Sequence, residues 1–322
     1  MPVTGEALSV ILPVYNEEDN LELLHTRLTD VLKTLGREYE VIYVDDGSRD
    51  RSWSILKRLS LADQHVRLVR LRKNFGQTPA LAAGFAHSRN RILVTMDADL
   101  QNDPGDIPAL LRKLEADEND LVSGWRRRRE DRWLTRRVPS QLANWLIRVV
   151  TRVSLHDFGC TLKAYRREVV QDLSLFGEMH RFLPVLITWV GGRVAEMEVT
   201  HHPRIHGVSK YGLLRTYKVV VDLLTLKLIG DFSARPNYVF SGFGLTSLFL
   251  GLISFAVVAY RVLVLHHYEA TPLVFFMTMF ILTGILSIFM GFLAEIVIRG
   301  LYETQRKPAF YVRDVEGQDR SE

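Results

Sequence analysis

Polar and apolar positions fall in alternating blocks along the first hundred residues. Residues 8–14, Leu-Ser-Val-Ile-Leu-Pro-Val, form a short run rich in branched apolar side chains, which predicts a buried strand. A polar, turn-like stretch from Tyr15 to Asn20 follows. Leu21, Leu24, Leu28, Val31, Leu32 and Leu35 then share one stripe at helical spacing, and Gly36 closes the predicted helix. Residues 39–44 read as a second buried strand, 51–63 as a helix, 66–71 as a strand, 77–88 as an Ala- and Leu-rich helix, and 91–96 as a further strand. Strands alternating with helices of this length imply βαβ units: an α/β fold with a mainly parallel sheet and helices on both faces. Ligands of such sheets sit beyond the carboxyl ends of the strands. Asp45-Asp46 and Asp97-Ala98-Asp99 both fall at those ends.

The pattern changes late in the chain. Residues 238–260 and 272–294 carry no charge. Each run exceeds the roughly 20 residues a helix needs to cross about 30 Å of hydrocarbon. Two such runs joined by a short loop predict a transmembrane hairpin rather than buried helices of a soluble domain. Ser241, Gly242, Gly244, Gly251, Gly284 and Gly291 would let its helices approach closely. The loop 261–271 holds one basic residue, Arg261, whereas Lys210, Arg215, Lys218, Lys227 and Arg235 precede the first span and Arg299, Arg306, Lys307 and Arg313 follow the second. By the positive-inside rule both termini are expected in the cytoplasm. Residues 141–153 and 213–229 mix apolar and basic positions, and two readings stand open for each: a juxtamembrane helix in the membrane interface, or an ordinary helix packed on the sheet. The expected organisation is a cytoplasmic α/β domain with juxtamembrane helices over residues 1–230, two transmembrane helices within 231–300, and a cytoplasmic tail over 301–322.

Composition narrows the classes. The chain has 322 residues, room for one large domain or two, and 47% hydrophobic content excludes disorder for most of it. A single cysteine, Cys160, excludes an internal disulfide and a multi-cysteine zinc site, and reads as a small packed residue. The N-terminus, MPVTGEALSV, lacks a charged segment followed by an apolar one, so the first domain is expected to stay in the cytosol. The net charge is only +4, but Arg126 to Arg129, Arg132, Arg136 and Arg137 are clustered. Such a cluster says more about partners than the total.

Carboxylates on alternate residues of a strand point to opposite faces, so Asp97 and Asp99 can meet on one ion only if the chain turns between them. Few hard oxygen donors suit Mg²⁺ or Mn²⁺ shared with a diphosphate. Taken alone, such a pair is a weak signal. It gains weight from its place at a strand end and from Asp45-Asp46 at another.

Pro13-Val-Tyr-Asn-Glu17, Val44-Asp-Asp-Gly-Ser48, Arg72-Lys-Asn-Phe-Gly76 and Asp97-Ala-Asp-Leu-Gln101 stand in the order and spacing of the inverting GT-A glycosyltransferases. More narrowly, the chain resembles the polyprenyl-phosphate glycosyltransferases of family 2, the group of dolichol-phosphate mannose synthases, GtrB and ArnC. Asp157-Phe-Gly-Cys-Thr-Leu-Lys-Ala-Tyr-Arg-Arg167 and Gly207-Val-Ser-Lys-Tyr211 look most like ArnC and its bacterial relatives. The resemblance is strong over residues 8–230 and extends to the hairpin in layout.

The resemblance implies a Rossmann-like GT-A fold and a set of roles. Pro13, Tyr15 and Glu17 would line the nucleotide pocket, with Asp45 or Asp46 near the base or ribose. Asp97 and Asp99 would hold Mg²⁺ or Mn²⁺ with help from Gln101, and Asp157 would stand near the reacting centre. Arg204, Ser209 and Lys210 would belong to a loop that closes on the donor diphosphate; His206 stands where relatives often carry an aromatic. Arg126, Arg136 and Ser140 would bind the lipid phosphate, for which an arginine fork is well shaped. Arg127 to Arg129 and Arg132 would attract anionic headgroups. His201 and His202 read as structural or exposed. Residues 178–182 either touch the sugar or lipid or begin a helix.

The implied reaction transfers a sugar from a nucleotide-sugar donor to a polyprenyl-phosphate acceptor, at the inner membrane. A phosphate monoester is already ionised near neutral pH, with a second pKa of roughly 6. It needs little help from a base, so Asp157 is expected to orient rather than to abstract a proton. Expected partners are the donor, the acceptor, membrane lipids and, by resemblance, further copies of the chain up to a tetramer; no nucleic-acid motif is present. Two other readings are a processive polysaccharide synthase, which lacks its Q-x-x-R-W motif here, and a catalytically inactive scaffold. The sugar, the nucleotide base and the polyprenyl type stay open.

Overall fold

The computed structural model describes residues 5–127, 144–145, 147–149, 151–171, 173, 175, 179–203, 236–266, 272–304 and 312–316. The chain divides into two compact units, residues 1–223 with 308–322, and residues 224–307.

The first unit is built on an eight-stranded sheet. Its strands are β1 (Leu8–Val14), β2 (Tyr39–Asp45), β3 (Val66–Leu71), β4 (Ile92–Thr95), β5 (Leu121–Trp125), β6 (Lys163–Arg166), β7 (Val194–Glu198) and β8 (Val312–Glu316), in the order β7-β5-β6-β4-β1-β2-β3-β8. β3, β2, β1 and β4 run parallel, as the βαβ pattern requires. β6 is antiparallel to β4 and β5, and β8 is antiparallel to β3. The helices between the parallel strands are α1 (Leu21–Thr34), α2 (Ser52–Ala62) and α3 (Gln77–His87). α4 (Ile107–Ala116) precedes β5, and the short α5 (Leu183–Trp189) precedes β7.

Burial follows the pattern that predicted it. Six of the seven β1 positions are fully buried, because helices cover both faces of a parallel sheet. On α1 the stripe Leu21, Leu24, Leu28 and Leu32 is buried against the sheet. At about 25 cal/mol per Å² of apolar surface removed from water, each fully buried leucine contributes roughly 2 kcal/mol.

The second unit, as described, consists of α6 (Pro236–Leu263) and α7 (Pro272–Thr304). Their apolar stretches span 24 and 23 residues, long enough to cross a membrane. A Cβ on Gly244 would stand 2.8 Å from the Gly284 carbonyl oxygen, and one on Gly284 2.9 Å from that of Gly244, so both must be glycine for the helices to pack this closely. Gly251 also faces the partner helix, whereas Gly242 does not. The Ser247 hydroxyl donates to the Phe280 carbonyl across the contact at 2.8 Å. Phe249, Leu286 and Phe289 turn outward and are over 60% exposed, a face that suits hydrocarbon and not water.

Within the expected tail 301–322, α7 runs on to Thr304 and residues 312–316 form the edge strand β8. Of the two interface segments, 213–229 lies outside the described residues. The described part of 141–153 leaves Trp145 and Val149 exposed and buries Ile147.

Candidate active site

The carboxyl ends of β1, β2, β3 and β4 lie along one edge of the sheet, and four loops leave from it. The loops after β1 and β2 are stitched together by their own polar residues. The Glu17 amide donates to the Ser52 hydroxyl at 2.9 Å, the Asn16 amide to the Ser48 hydroxyl at 3.0 Å, and the Arg49 amide to Asn16 Oδ1 at 2.8 Å. The Glu17 carboxylate accepts from Asn20 Nδ2 at 2.7 Å. Pro13, Tyr15 and Glu17 are half-buried beside this seam.

Asp45 and Asp46 face inward. Asp45 is fully buried; it accepts from the Ser48 amide at 3.0 Å and lies 3.3 Å from Arg70 Nε. Asp46 accepts from the Phe75 amide at 2.7 Å and the Gly76 amide at 2.9 Å, one on each oxygen. Burial pushes Asp46 up to about 6, and the two amides restrain the rise. These two carboxylates therefore shape the loops after β2 and β3. Gly47, directly after Asp46, has φ 70°, and a Cβ there would lie 2.6 Å from the Lys73 carbonyl carbon. Only glycine tolerates both conditions.

The chain bends at residues 98–100 just past β4, and Leu100 takes the left-handed conformation with φ 61°. This bend is the turn that Asp97 and Asp99 require to face one ion. Gln77, the first residue of α3, donates from Nε2 to Asp97 Oδ1 at 2.7 Å. Asp99 is 8% exposed and accepts from the Gln101 amide at 3.2 Å. Burial and then the negative charge of Asp99 push Asp97 up to about 7. Two repelling carboxylates on a tight bend are a donor set that a hard divalent cation fits; the Gln101 carboxamide donates to the His202 carbonyl at 3.5 Å. Among the described residues, no group of three or more His, Cys, Asp or Glu gathers to hold a metal, so further ligands would be water and substrate oxygens. Gln101 is anchored across the site: its carbonyl accepts from the His202 amide at 2.8 Å. His202 in turn pairs with Asp103 at 3.0 Å.

Arg126 and Asp157, which the resemblance assigns to separate subsites, form one ion pair. Arg126 Nε and Nη2 donate to the two Asp157 oxygens at 2.7 and 3.0 Å. The Gly159 amide adds a bond at 3.0 Å, the Arg126 amide a weak one at 3.4 Å. The Asp157 carboxylate thus accepts four hydrogen bonds and is 2% exposed, poor circumstances for a general base. Burial alone would lower the Arg126 guanidinium, but Asp157 reverses this and holds it above its ordinary range. Arg126 also lies close enough to lower Asp97. Arg126 is thus a fixed cation within electrostatic reach of Asp97.

Three residues of this region had no role assigned from the sequence, although Thr161 and Lys163 lie within the motif Asp157 to Arg167. Gln77 directly follows the motif Arg72 to Gly76, and that adjacency was its only signal. Thr161 lies near enough to lower Asp97 and accepts from Asn102 Nδ2 at 3.0 Å. Lys163 is a charged residue at the start of a strand, 2% exposed. His180, from the segment of open role, is 6% exposed and bonds Thr78 Oγ1 at 2.8 Å, one residue from Gln77. Arg136, Ser140, Arg204, Ser209 and Lys210 lie outside the described residues.

Comparison with known proteins adds to this geometry. Residues 9–174 match the family described as Glycosyl transferase family 2. The chain is 39% identical to the dodecaprenyl-phosphate galacturonate synthase of Rhizobium johnstonii, covering 98% of this chain and 94% of that protein. It is 36% identical to the undecaprenyl-phosphate 4-deoxy-4-formamido-L-arabinose transferase of Edwardsiella ictaluri, covering 97% and 95%. Among solved structures it is similar to the glucosyl-3-phosphoglycerate synthase of Mycobacterium tuberculosis in complex with Mn²⁺ and UDP-glucose, at TM-score 0.54 and 21% identity over 69% of this chain and 79% of that one. Mannosyl-3-phosphoglycerate synthase from Rubrobacter xylanophilus gives TM-score 0.58 and 16% identity over 70% and 75%. The last two speak for the fold alone.

Proposed function

The chain belongs to glycosyl transferase family 2, and on that premise we propose that it transfers a sugar from a nucleoside-diphosphate sugar to a polyprenyl phosphate at the membrane surface, with inversion. The observation that carries this reading is the placement of the Asp97–Asp99 pair beside the Arg126–Asp157 pair, in a chain that also holds two membrane-length apolar helices. Both curated relatives, matched nearly end to end, are named for sugar transfer onto a polyprenyl phosphate.

The residues divide the work. Loops knit by Glu17, Asp45, Asp46 and Ser52 form a firm floor for the nucleotide, with Pro13 and Tyr15 beside it. Asp97 and Asp99, with Gln101, would hold Mg²⁺ or Mn²⁺. When bound there, the cation supplies charge stabilisation for the departing diphosphate. Arg126 presents fixed positive charge to the acceptor phosphate or to the oxygens of the donor diphosphate. The acceptor phosphate is already an anion near pH 7 and attacks the anomeric carbon without deprotonation. Asp157 keeps Arg126 in place. Arg136 and Ser140 on the lipid side, and Arg204, Ser209 and Lys210 over the diphosphate, complete the proposed set.

The membrane arrangement belongs to the same proposal. The hairpin anchors the enzyme in the inner membrane with the catalytic unit in the cytoplasm. The basic residues flanking the two spans support this orientation. The pairing of β8 with β3 supports placing the segment after the second span on the same side of the membrane as the sheet. Homo-oligomerisation, expected from the resemblance, is checked by mass measurement in detergent.

The donor is tested by a panel of uridine and guanosine diphosphate sugars, including uronic acids, amino-pentoses and neutral hexoses, each offered with undecaprenyl phosphate. Transfer of label into organic-extractable lipid from one donor class identifies the sugar. Release of free sugar from every donor, with none in lipid, would reject the proposed acceptor.

A further inference from the structure

A buried cation behind the site has no part in the reaction as described so far. Lys163 opens β6 and is 2% exposed. Its Nζ donates to the carbonyl oxygen of Cys160 and, at 3.5 Å, to that of Phe158. Burial pulls the ammonium below its ordinary value, while Cys160, Asp157 and Asp97 act in the other direction. Removing an ammonium from water is costly unless it is paired and hydrogen-bonded, so the fold must gain from placing one here.

The two carbonyls belong to a five-residue turn that carries a site contact at each end. Asp157 begins the turn and holds Arg126. Thr161 ends it; its hydroxyl accepts from Asn102 Nδ2 at 3.0 Å, and its carbonyl accepts at 2.7 Å from Oγ1 of Thr95, two residues before Asp97. The Gly159 amide ties back to Asp157 Oδ1 at 3.0 Å. Phe158 and Cys160, 1% and 0% exposed, fill the core side of the turn and leave their carbonyls to the Lys163 ammonium. The position of Arg126 relative to Asp97 therefore depends on the shape of this turn, and Lys163 is the group that gathers it.

We propose that Lys163 is a positioning residue for the transfer reaction: by clamping the Phe158 and Cys160 carbonyls it fixes the distance between the Arg126–Asp157 pair and the Asp97–Asp99 pair, and so between acceptor phosphate and donor. This rests on the reaction proposed above. Misplacement of reacting groups by about 1 Å costs on the order of a hundredfold in rate, whereas binding of the donor to its own loops is unaffected.

The test uses the full-length protein in detergent, with Lys163→Met, Lys163→Gln and Lys163→Arg beside the wild type. Turnover is normalised to folded sites counted by Mn²⁺ titration. Lys163→Met is expected to lower kcat per folded site at least about tenfold, with KM for the donor and Mn²⁺ affinity within about threefold of wild type. Lys163→Arg, which keeps the charge and the donors, is expected to recover most of kcat. If Lys163→Met does not fold, Lys163→Gln carries the same expectation. Unchanged kcat per folded site in Met and Gln variants would overturn the proposal, since a purely structural lysine changes only the number of folded sites. Failure of Lys163→Arg to recover above Lys163→Gln would also overturn it. A wild type that transfers nothing to polyprenyl phosphate would instead defeat the reaction itself, and this control separates the two failures.

Discussion

Replacing Asp157 with Asn removes one half of a buried two-point ion pair. The Arg126 and Asp157 side chains are 18% and 3% exposed and meet at 2.7 Å, so solvent screens the pair weakly. Removing one partner of such a pair leaves the other uncompensated and costs about 3–5 kcal/mol. Asparagine also turns an amide N–H toward Arg126, which can only donate. For a domain of about 200 residues each kcal/mol lowers Tm by about 2–4 °C, so Asp157→Asn is expected to lose about 6–20 °C. Arg126→Gln is expected to lose a similar amount, by leaving the carboxylate buried and short of donors. The double variant should lose less than the sum, with an interaction energy of about 0.5–3 kcal/mol. Thermal unfolding followed by tryptophan fluorescence in detergent reads all four proteins. Shifts under about 2 °C in both single variants, or strict additivity, would refute the reasoning. The same variant addresses chemistry. If Asp157 orients Arg126 and abstracts no proton, Asp157→Asn retains measurable transfer, and its rate keeps an acid limb near pH 6 from the acceptor phosphate. Asp99→Asn is expected to lose nearly all activity.

Gln77→Leu removes the hydrogen bond to Asp97 and is expected to weaken Mn²⁺ binding about fivefold, read by electron paramagnetic resonance of free Mn²⁺, with little change in Tm. Asp97 sits near 7 in the metal-free protein, so protons compete with metal below that pH. Mn²⁺ affinity should therefore rise with a slope approaching tenfold per pH unit below 7 and level off above it; a flat profile would contradict this. Gly284→Leu places a side chain against the Gly244 carbonyl and Leu248, and is expected to lower Tm of the detergent-solubilised protein without changing donor binding. Truncation after residue 307 strips β8 from β3 and exposes a sheet edge, and should raise aggregation measured by light scattering.

The half of the sheet formed by β1 to β4 was legible within a residue or two, because strands buried on both faces must be apolar throughout. Lys163-Ala-Tyr-Arg166 and Val194-Ala-Glu-Met-Glu198 gave no such signal. β6 begins with a charge that only the folded site explains, and β7 is a half-buried edge. β8 reads Val-Arg-Asp-Val-Glu and takes its strand character from the open edge of β3. The carboxylates at the ends of β2 and β4 were visible because a strand end fixes where they point. The pairing of Arg126 with Asp157 was not, because it joins residues 31 apart in the sequence that no local pattern links. Nor could the sequence separate Asp45 and Asp46 as loop-shaping groups from ligand-binding ones, since that depends on which amides fold over them.

The central claim is transfer of a sugar to a lipid phosphate with inversion. The most direct measurement incubates purified full-length protein with the labelled nucleotide sugar chosen from the donor panel, a polyprenyl phosphate and a divalent cation, and then determines the product's linkage and anomeric configuration by NMR. The account predicts one sugar joined to the lipid monophosphate, labile to mild acid, with configuration opposite to that in the donor. A polymer, a diphosphate-linked lipid, or a product that keeps the donor's configuration would contradict it.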